Sequence, residues 1–320
     1  MNEPIRSIVN IVAVLIGTLT VAVFLIWLER RLLALWQDRY GPNRVGPFGL
    51  LQVLADAIKL FAKEDWIPPF AEKTVFVLAP AVIMVTALLS FGVVPIAPGI
   101  GVTDLSIGLL FFLAMSSLGV YSIVLAGWAS NSKYALLGGL RASAQMISYE
   151  VFMGLSLTGV VMLAGTFDLR RIVEAQRDLW FCIPQALGLF VFLVAGIAET
   201  RRLPFDLPEA ESELVAGFHA EYSGMKFGMF FVGEYLGITL ISAMIVTLFF
   251  GGWLGPWLPA LAWFGLKTFV CICFFILLRA ALPRPRYDQL MAYGWKIMLP
   301  LALLNLVVTG GILLARGSRT

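Results

Sequence analysis

The stretch Ala198–Tyr222, AETRRLPFDLPEAESELVAGFHAEY, gathers six of the twenty acidic residues of the chain into twenty-five positions: Glu199, Asp206, Glu209, Glu211, Glu213 and Glu221. Only Arg201 and Arg202 oppose them there, and both flanks are almost charge-free apolar sequence. Carboxylates crowded against hydrocarbon repel one another and are poorly solvated, so their ionisation responds to any charge that changes nearby. The chemistry such a cluster suits is proton uptake and release. Two plainer readings stand beside it. The acids could form a solvated face for a basic partner. Part of the acidity could also be capping, since Asp206-Leu-Pro-Glu209 has the form of a helix start. Glu209 and Glu213 would then share a helix face as like charges, which a purely structural helix avoids. His219, the only histidine, reads either as a proton donor or as a structural group.

Three more charges fall within apolar stretches: Glu150 in QMISYEV, Glu234 in FVGEY, and Lys267. Each acid costs roughly 2.5–3.5 kcal/mol at the centre of a membrane helix. Each must therefore face the interior of a bundle, pair with another helix, or carry a proton. Lys267 is a candidate partner, and an intramembrane proton path through Glu150, Glu234 and Lys267 is the reading such residues favour.

These residues need helices to hold them. The chain is 60% hydrophobic and 13% charged, with mean hydropathy +0.89, where a soluble domain carries about 25% charged residues. The composition predicts an all-α polytopic membrane protein. Eight segments reach the ~20 residues that a spanning helix needs. They are Ile8–Leu28, Val75–Ala97, Leu105–Trp128, Ala142–Leu163, Leu179–Ala198, Phe227–Phe250, Trp257–Leu278 and Ile297–Ala315. Arg30 and Arg31 follow the first span rather than precede it, so it reads as a retained helix and not a signal peptide. Assigned to alternate sides, the loops 29–74, 129–141, 199–226 and 279–296 hold 16 lysines and arginines against 6 on the other side. The positive-inside rule makes the first set cytoplasmic and puts both termini outside. The long polar loops lie on that cytoplasmic face, where a partner should dock.

The first of these loops contains QDRYGPNRVGP, two glycines and two prolines in seven residues, a stiff turn-rich frame that holds Arg39 and Arg44. It serves either as a positive anchor or as part of a binding surface. The next segment, GLLQVLADAIKLFAK, places Leu51, Leu54, Ile58 and Phe61 on one helical face and Gln52, Asp56, Lys59 and Lys63 on another. It predicts a surface amphipathic helix of about four turns, a brace or the lip of an opening for a lipid-soluble molecule.

Three cysteines, Cys182, Cys271 and Cys273, and one histidine exclude an iron–sulfur cluster or bis-histidine haem held by this chain alone and leave little scope for zinc. No glycine-rich nucleotide fingerprint follows a strand-like segment. Electrons for any redox chemistry would come from a partner, and no metal site is expected.

WLERRLLALWQDRYGPNRVGP, LQVLADAIKLFAKED, GWASNSKYALLGGLRASAQMISYEV, AETRRLPFDLPEAESELVAGFHAEYSG and RAALPRPRYDQLMAYGWK closely resemble the H subunits of the bacterial proton-pumping NADH–quinone oxidoreductases (respiratory complex I) and their mitochondrially encoded counterparts, in order and over the whole chain. The resemblance implies an eight-helix subunit of the bacterial inner membrane, one membrane domain spanning residues 1–320, at the junction of the membrane and peripheral arms. It implies quinone as substrate, no cofactor on this chain, and iron–sulfur clusters and FMN on partner subunits. It implies peripheral quinone-module subunits on the cytoplasmic face, small and antiporter-like membrane subunits laterally, and no nucleic acid.

Carried over by position, Glu29, Arg30, Arg39, Arg44, Asp56 and Lys59 would line or stabilise the membrane side of a quinone chamber. Glu199, Arg202, Asp206, Glu209, Glu211, Glu213 and Glu221 would form a charged coupling loop, and Glu150 and Glu234 would continue it into the bilayer. Arg201 stands where the family usually has Asn, and Ala210 where Gly is common. Competing readings are the membrane anchor of an energy-converting hydrogenase, an autonomous proton-linked transporter, and a scaffold whose charges serve docking only. No internal repeat of the kind transporters show is present.

Overall fold

The computed structural model describes residues 3–206 and 217–317. Among these the chain is helical, with one isolated antiparallel bridge between Ala97 and Ile100. The helices are α1 (Glu3–Trp36), α2 (Gln52–Ala62), α3 (Lys73–Phe91), α4 (Gly108–Ala129), α5 (Lys133–Ala164), α6 (Leu169–Glu174), α7 (Ala186–Glu199), α8 (Gly224–Phe249), α9 (Ala260–Ala281), α10 (Tyr287–Tyr293) and α11 (Leu299–Gly317). A π-helical turn, Gly294–Met298, joins α10 to α11 without a break.

Among the described residues, seven stretches are long and apolar enough to cross a membrane: Ser7–Trp36, Lys73–Phe91, Gly108–Ala129, Lys133–Ala164, Gly224–Phe249, Ala260–Ala281 and Tyr287–Ala315. The fifth expected span is different. Leu179–Gln185 is turn, and α7 has 14 residues, or ~21 Å at 1.5 Å per residue against a hydrocarbon core of ~30 Å. Gln176 completes the shortened end. Its Oε1 accepts from Gly251 N (3.0 Å) and Phe181 N (3.3 Å), while its Nε2 donates to Ile172 O (3.2 Å) and Thr247 O (2.9 Å). Protein thus satisfies non-helical backbone that lipid could not.

Parts of two expected loops also prove helical. α1 runs to Trp36, eight residues past the expected end, and α5 begins at Lys133, nine residues before its expected start. No proline interrupts either stretch, and Gly138 and Gly139 serve packing rather than a turn. A Cβ on Gly138 would lie 2.7 Å from Gly217 Cα, and Gly139 lies against Gly127 of α4. Small residues let backbones approach where lipid gives no hydrophobic drive between helices.

α8 is the centre of the bundle. Of its spanning window 72% is buried, against 22–50% for the other candidates, and it packs on α1, α3, α7 and α9. A charge on α8 is therefore enclosed by protein. On α1, Val14, Thr18, Ala22, Leu25 and Glu29 form one buried stripe at helical spacing, so Glu29 continues an inward face while Arg30 turns outward.

Candidate functional site

Four elements converge on Glu29. It is 4% exposed, and its Oε1 accepts from Arg202 Nη1 (2.9 Å) and from Arg279 Nη1. The Nε of Arg202 lies 2.5 Å from Glu234 Oε1, and its guanidinium stands over the Tyr235 ring at 4.7 Å. Arg202 thus bridges α1 to α8, and Arg279 adds α9. Burial opposes the charged form of Arg202, but the carboxylates of Glu234 and Glu29 outweigh it, so its pKa is raised above the ordinary value and the cation is firmly held. Two acids and two guanidiniums form a cluster that is neutral as a whole, buried at Glu29 and Arg202 and open to the surface at Arg279, whose side chain is 39% exposed.

The segment that carries Arg202 is pinned from α5. Gln145 Nε2 donates to Ala198 O (3.2 Å) and Phe205 O (2.9 Å). The Phe205 ring packs edge-on against Tyr149 at 5.1 Å, and Tyr149 donates to Leu290 O at 3.0 Å. Asp206 receives a two-pronged contact from Arg284, Nε to Oδ1 at 2.9 Å and Nη2 to Oδ2 at 2.6 Å. The helix start expected after Asp206 lies outside the described residues.

Arg201 sits at φ 54°, in the left-handed region, with its guanidinium over Phe218 at 5.2 Å. Asn enters that region several times more readily than most residues. Arg201 in that region marks a strained backbone at the site.

Beside the cluster lies a cavity of about 400 Å³. One wall is polar, with Arg201, Arg202, Asp206, Glu234, Arg279 and Arg284; the other is aromatic, with Phe218, Phe227, Phe230 and Phe231. His219 lines it too, its ring edge-on to Phe218 at 4.9 Å and 5.5 Å from Phe227. Gly138 permits this placement, because only glycine lets Gly217–His219 lie directly on α5.

A second, smaller cavity of about 70 Å³, large enough for several water molecules, shares Arg201 and Glu234 with the first and adds Thr86, Ser90, Ser116 and Glu199. Ser116 Oγ donates to Glu199 Oε1 at 2.6 Å, and its neighbour Ser117 donates to Glu150 Oε2 at 3.2 Å. Glu199 and Glu150 each keep one further buried oxygen with no hydrogen-bond partner among the described residues. Glu234, Glu199 and Glu150 therefore form a connected series, from the polar cavity through the small cavity to a serine pair on α4.

The remaining expected residues divide. Arg30 Nη1 pairs with Asp56 Oδ2 at 2.8 Å, Lys59 reaches Asp56 Oδ1 at 3.4 Å, and Gln52 donates to the same oxygen at 3.2 Å. Burial raises the Asp56 pKa, but Gln52, Arg30 and Lys59 together hold it below the ordinary value. Trp27 Nε1 to Phe48 O (3.0 Å) and Arg31 to Pro42 O (3.2 Å) fasten the turn segment to α1. Arg39 and Arg44 are exposed, away from these contacts, and Arg39 bonds Gln37. Leu54, Ile58 and Phe61 leave an apolar face of α2 exposed. Glu221 is half-buried, next to Tyr222, whose ring stacks on Phe76 at 3.9 Å. Glu209, Glu211 and Glu213 lie outside the described residues.

Lys267 is not where the charge inventory put it. Its Nζ donates to Phe250 O (2.7 Å), Gly252 O (3.1 Å) and Leu254 O (2.7 Å), and it stands over Trp180 at 4.3 Å. Eight positions into α9, its long stem lets the ammonium reach the turn between α8 and α9, while Arg202 has taken Glu234. Sequence reasoning missed Gln145, Ser116, Ser117, Arg279 and Arg284. Ser116-Ser117 in an apolar span and Gln145 five residues before Glu150 were visible signals; the two arginines were counted only as topology markers.

A family model described as NADH dehydrogenase matches residues 9–310. A protein from Methylococcus capsulatus (strain ATCC 33009 / NCIMB 11132 / Bath), named as the H subunit of NADH-quinone oxidoreductase, is 69% identical over 303 residues, covering 94% of this chain and 96% of that protein.

Proposed function

The chain belongs to the NADH dehydrogenase family, and on that premise we propose that it is the membrane subunit of an NADH–quinone oxidoreductase in which it forms part of the quinone chamber and couples quinone reduction to proton movement. The observation that carries this reading is Arg202. One guanidinium joins Glu29 to Glu234, and Glu234 is on the wall common to both cavities.

Quinone has a polar head on an apolar tail, and the polar-and-aromatic cavity suits such a head. The exposed apolar face of α2 suits the passage of the tail. Two-electron reduction puts negative charge on the head, which then takes two protons. Charge appearing near Arg201, Arg202, Arg279 and Arg284 competes with Glu29 and Glu234 for the same cations. As the pull on Arg202 shifts, a proton replaces the cation at Glu234. Glu199, Ser116, Ser117 and Glu150 then offer the onward route. This is a coupling free energy between two sites sharing one bistable ion cluster. Glu209, Glu211, Glu213 and Glu221 add carboxylates to the acidic coupling loop, and Arg30, Asp56 and Lys59 brace α2 at the chamber lip. Lys267 has no part in this route.

The same reading makes residues 29–74, 129–141, 199–226 and 279–296 the cytoplasmic face, on which peripheral subunits carrying FMN and iron–sulfur clusters dock, and leaves both termini outside. α7 then serves as the eighth crossing, its shortfall covered by protein. Other membrane subunits cover the lateral apolar faces. Glu234→Gln in the assembled enzyme tests the coupling: proton transport should fall while the complex stays intact. Unchanged quinone reduction and unchanged transport would remove Glu234 from the mechanism.

A further inference from the structure

α1 and α9 meet at their C-terminal ends, through Glu29 and Arg279, and part towards their N-terminal ends. There they enclose a slot of about 630 Å³, closed behind by Thr239 and Ala243 of α8 and walled by apolar side chains such as Val14, Leu25, Phe264 and Ile272. Thr18 and Thr239 bond carbonyls of their own helices, so they present methyl groups; Thr268 lines the slot too, its buried hydroxyl without a hydrogen-bond partner among the described residues. Along α1 the slot extends from Ala13 to Leu25, a rise of ~18 Å that matches one leaflet of a hydrocarbon core ~30 Å thick.

Gly17 and Gly265 face this slot from opposite sides. A Cβ at either would meet nothing within 4 Å. Glycine in a helix interior costs about 1 kcal/mol relative to alanine, and neither of these lets another helix of the chain come close. The space is kept open for something the chain does not supply.

The mouth of the slot says what that is. Ile100 lines both the slot and a polar cavity of about 340 Å³ that holds Asp104 and Arg170. Arg170 Nη1 lies 2.6 Å from Asp104 Oδ2, and both side chains are partly exposed. The loop bearing Asp104 is fixed at both sides, Asn10 donating to Gly101 O at 3.1 Å and Thr103 N to Gly92 O at 3.1 Å, while Arg170 comes from α6. One acid and one base, with no excess charge, stand beside a tail-length apolar slot.

We propose that this slot binds a phospholipid with a zwitterionic, primary-amine headgroup, one acyl chain lying between α1 and α9, the phosphate on Arg170 and the ammonium on Asp104. A headgroup with phosphate alone would set its charge against Asp104 with nothing to offset it. The site lies at the membrane face opposite the Glu29–Arg202–Glu234 cluster and is independent of quinone chemistry.

A photoreactive diazirine side chain introduced at position 265 tests this in the gently solubilised native assembly, read by mass spectrometry. The adduct should carry the mass of a phosphatidylethanolamine. In a background of Asp104→Asn with Arg170→Gln its yield should fall about tenfold, two charge-assisted contacts being lost. A cross-link to another polypeptide, or lipid adducts in bulk-membrane proportion that ignore the headgroup variants, would overturn the proposal. Gly265→Leu, a better helix former that fills the slot, should release the lipid from the intact assembly without lowering its melting temperature. Retention of the lipid in that variant would equally overturn it.

Discussion

Arg202→Met isolates the interaction on which the site is built. The native guanidinium lies 2.9 Å from Glu29 and 2.5 Å from Glu234, and its side chain is 8% exposed. Removing one partner of a buried ion pair costs about 3–5 kcal/mol, because the remaining charge stays desolvated. Glu29 keeps Arg279, so the loss falls on Glu234 and should lie near the lower limit, about 3 kcal/mol. Arg202→Lys keeps a charge but not the fork that spans two carboxylates, and should cost about 1–2 kcal/mol. The assay is thermal unfolding of the assembled complex in mild detergent, in a double-mutant cycle with Glu234→Gln. Neutralising Glu234 removes the reason for the penalty, so the double variant should recover at least about 1.5 kcal/mol relative to additivity. Costs that simply add would refute the argument, since they would mean that Arg202 and Glu234 do not sense one another.

Other outcomes follow from the same geometry. Asp56 has a depressed pKa, so its tie to Arg30 and Lys59 contributes fully above the unfolded value of 3.8 and is lost as pH falls through the lower folded value. Protease protection of residues 50–62 should therefore hold through neutral and mildly acidic pH, while Asp56→Asn should weaken it at every pH where the wild type is protected. Gly138→Ala would set a Cβ 2.7 Å from Gly217 Cα; displacing Gly217–His219 should cost about 1–3 kcal/mol and reduce quinone turnover, read by melting temperature and initial rate. Gln185 joins Asn305 (2.8 Å) and Thr309 (2.8 Å) inside the bundle, and Gln185→Leu should cost about 0.6–2 kcal/mol with no change in turnover per assembled complex.

The helical class, most of the spans and the inward-facing intramembrane acids were legible because hydrocarbon imposes a crude rule: apolar runs of about 20 residues must be helices. Boundaries were less legible where helix continues into polar sequence. Nothing in Lys133–Arg141 stops a helix, since its glycines answer to Gly217 and to Gly127 rather than to a turn. α7 was over-extended because Leu179–Gln185 is apolar enough to span, yet it is a turn held by Gln176, whose partners Thr247 and Gly251 are more than seventy residues away. The same limit hid Arg279 and Arg284. Both belong to the site through contacts with Glu29 and Asp206 across 250 and 78 positions, and no local pattern announces a pairing of that range.

Lys267 shows why a charge inventory misassigns partners. Two intramembrane acids, Glu150 and Glu234, were available to one intramembrane lysine, and opposite signs suggested a pair. A lysine, however, has three donors and no fork. The turn of Phe250–Leu254 presents three carbonyls within 3.1 Å of its Nζ, which satisfies it without any anion. Arginine reaches two carboxylates at once, so Arg202 holds the position where two acids from different helices must share a cation. The cluster of Glu29, Glu234, Arg202 and Arg279 is neutral only while all four keep their places. A cation drawn aside, or a proton added, leaves an unbalanced charge in low dielectric, where one unit at ~4 Å is worth about 4 kcal/mol even at an effective dielectric constant of 20. That magnitude is comparable with a useful coupling energy, whereas the solvent-exposed pair of Arg286 and Asp288, 4.0 Å apart, could be made or broken with little consequence. Enclosure by α1, α8 and α9, rather than the number of acids in the loop, is what would make this site responsive to charge.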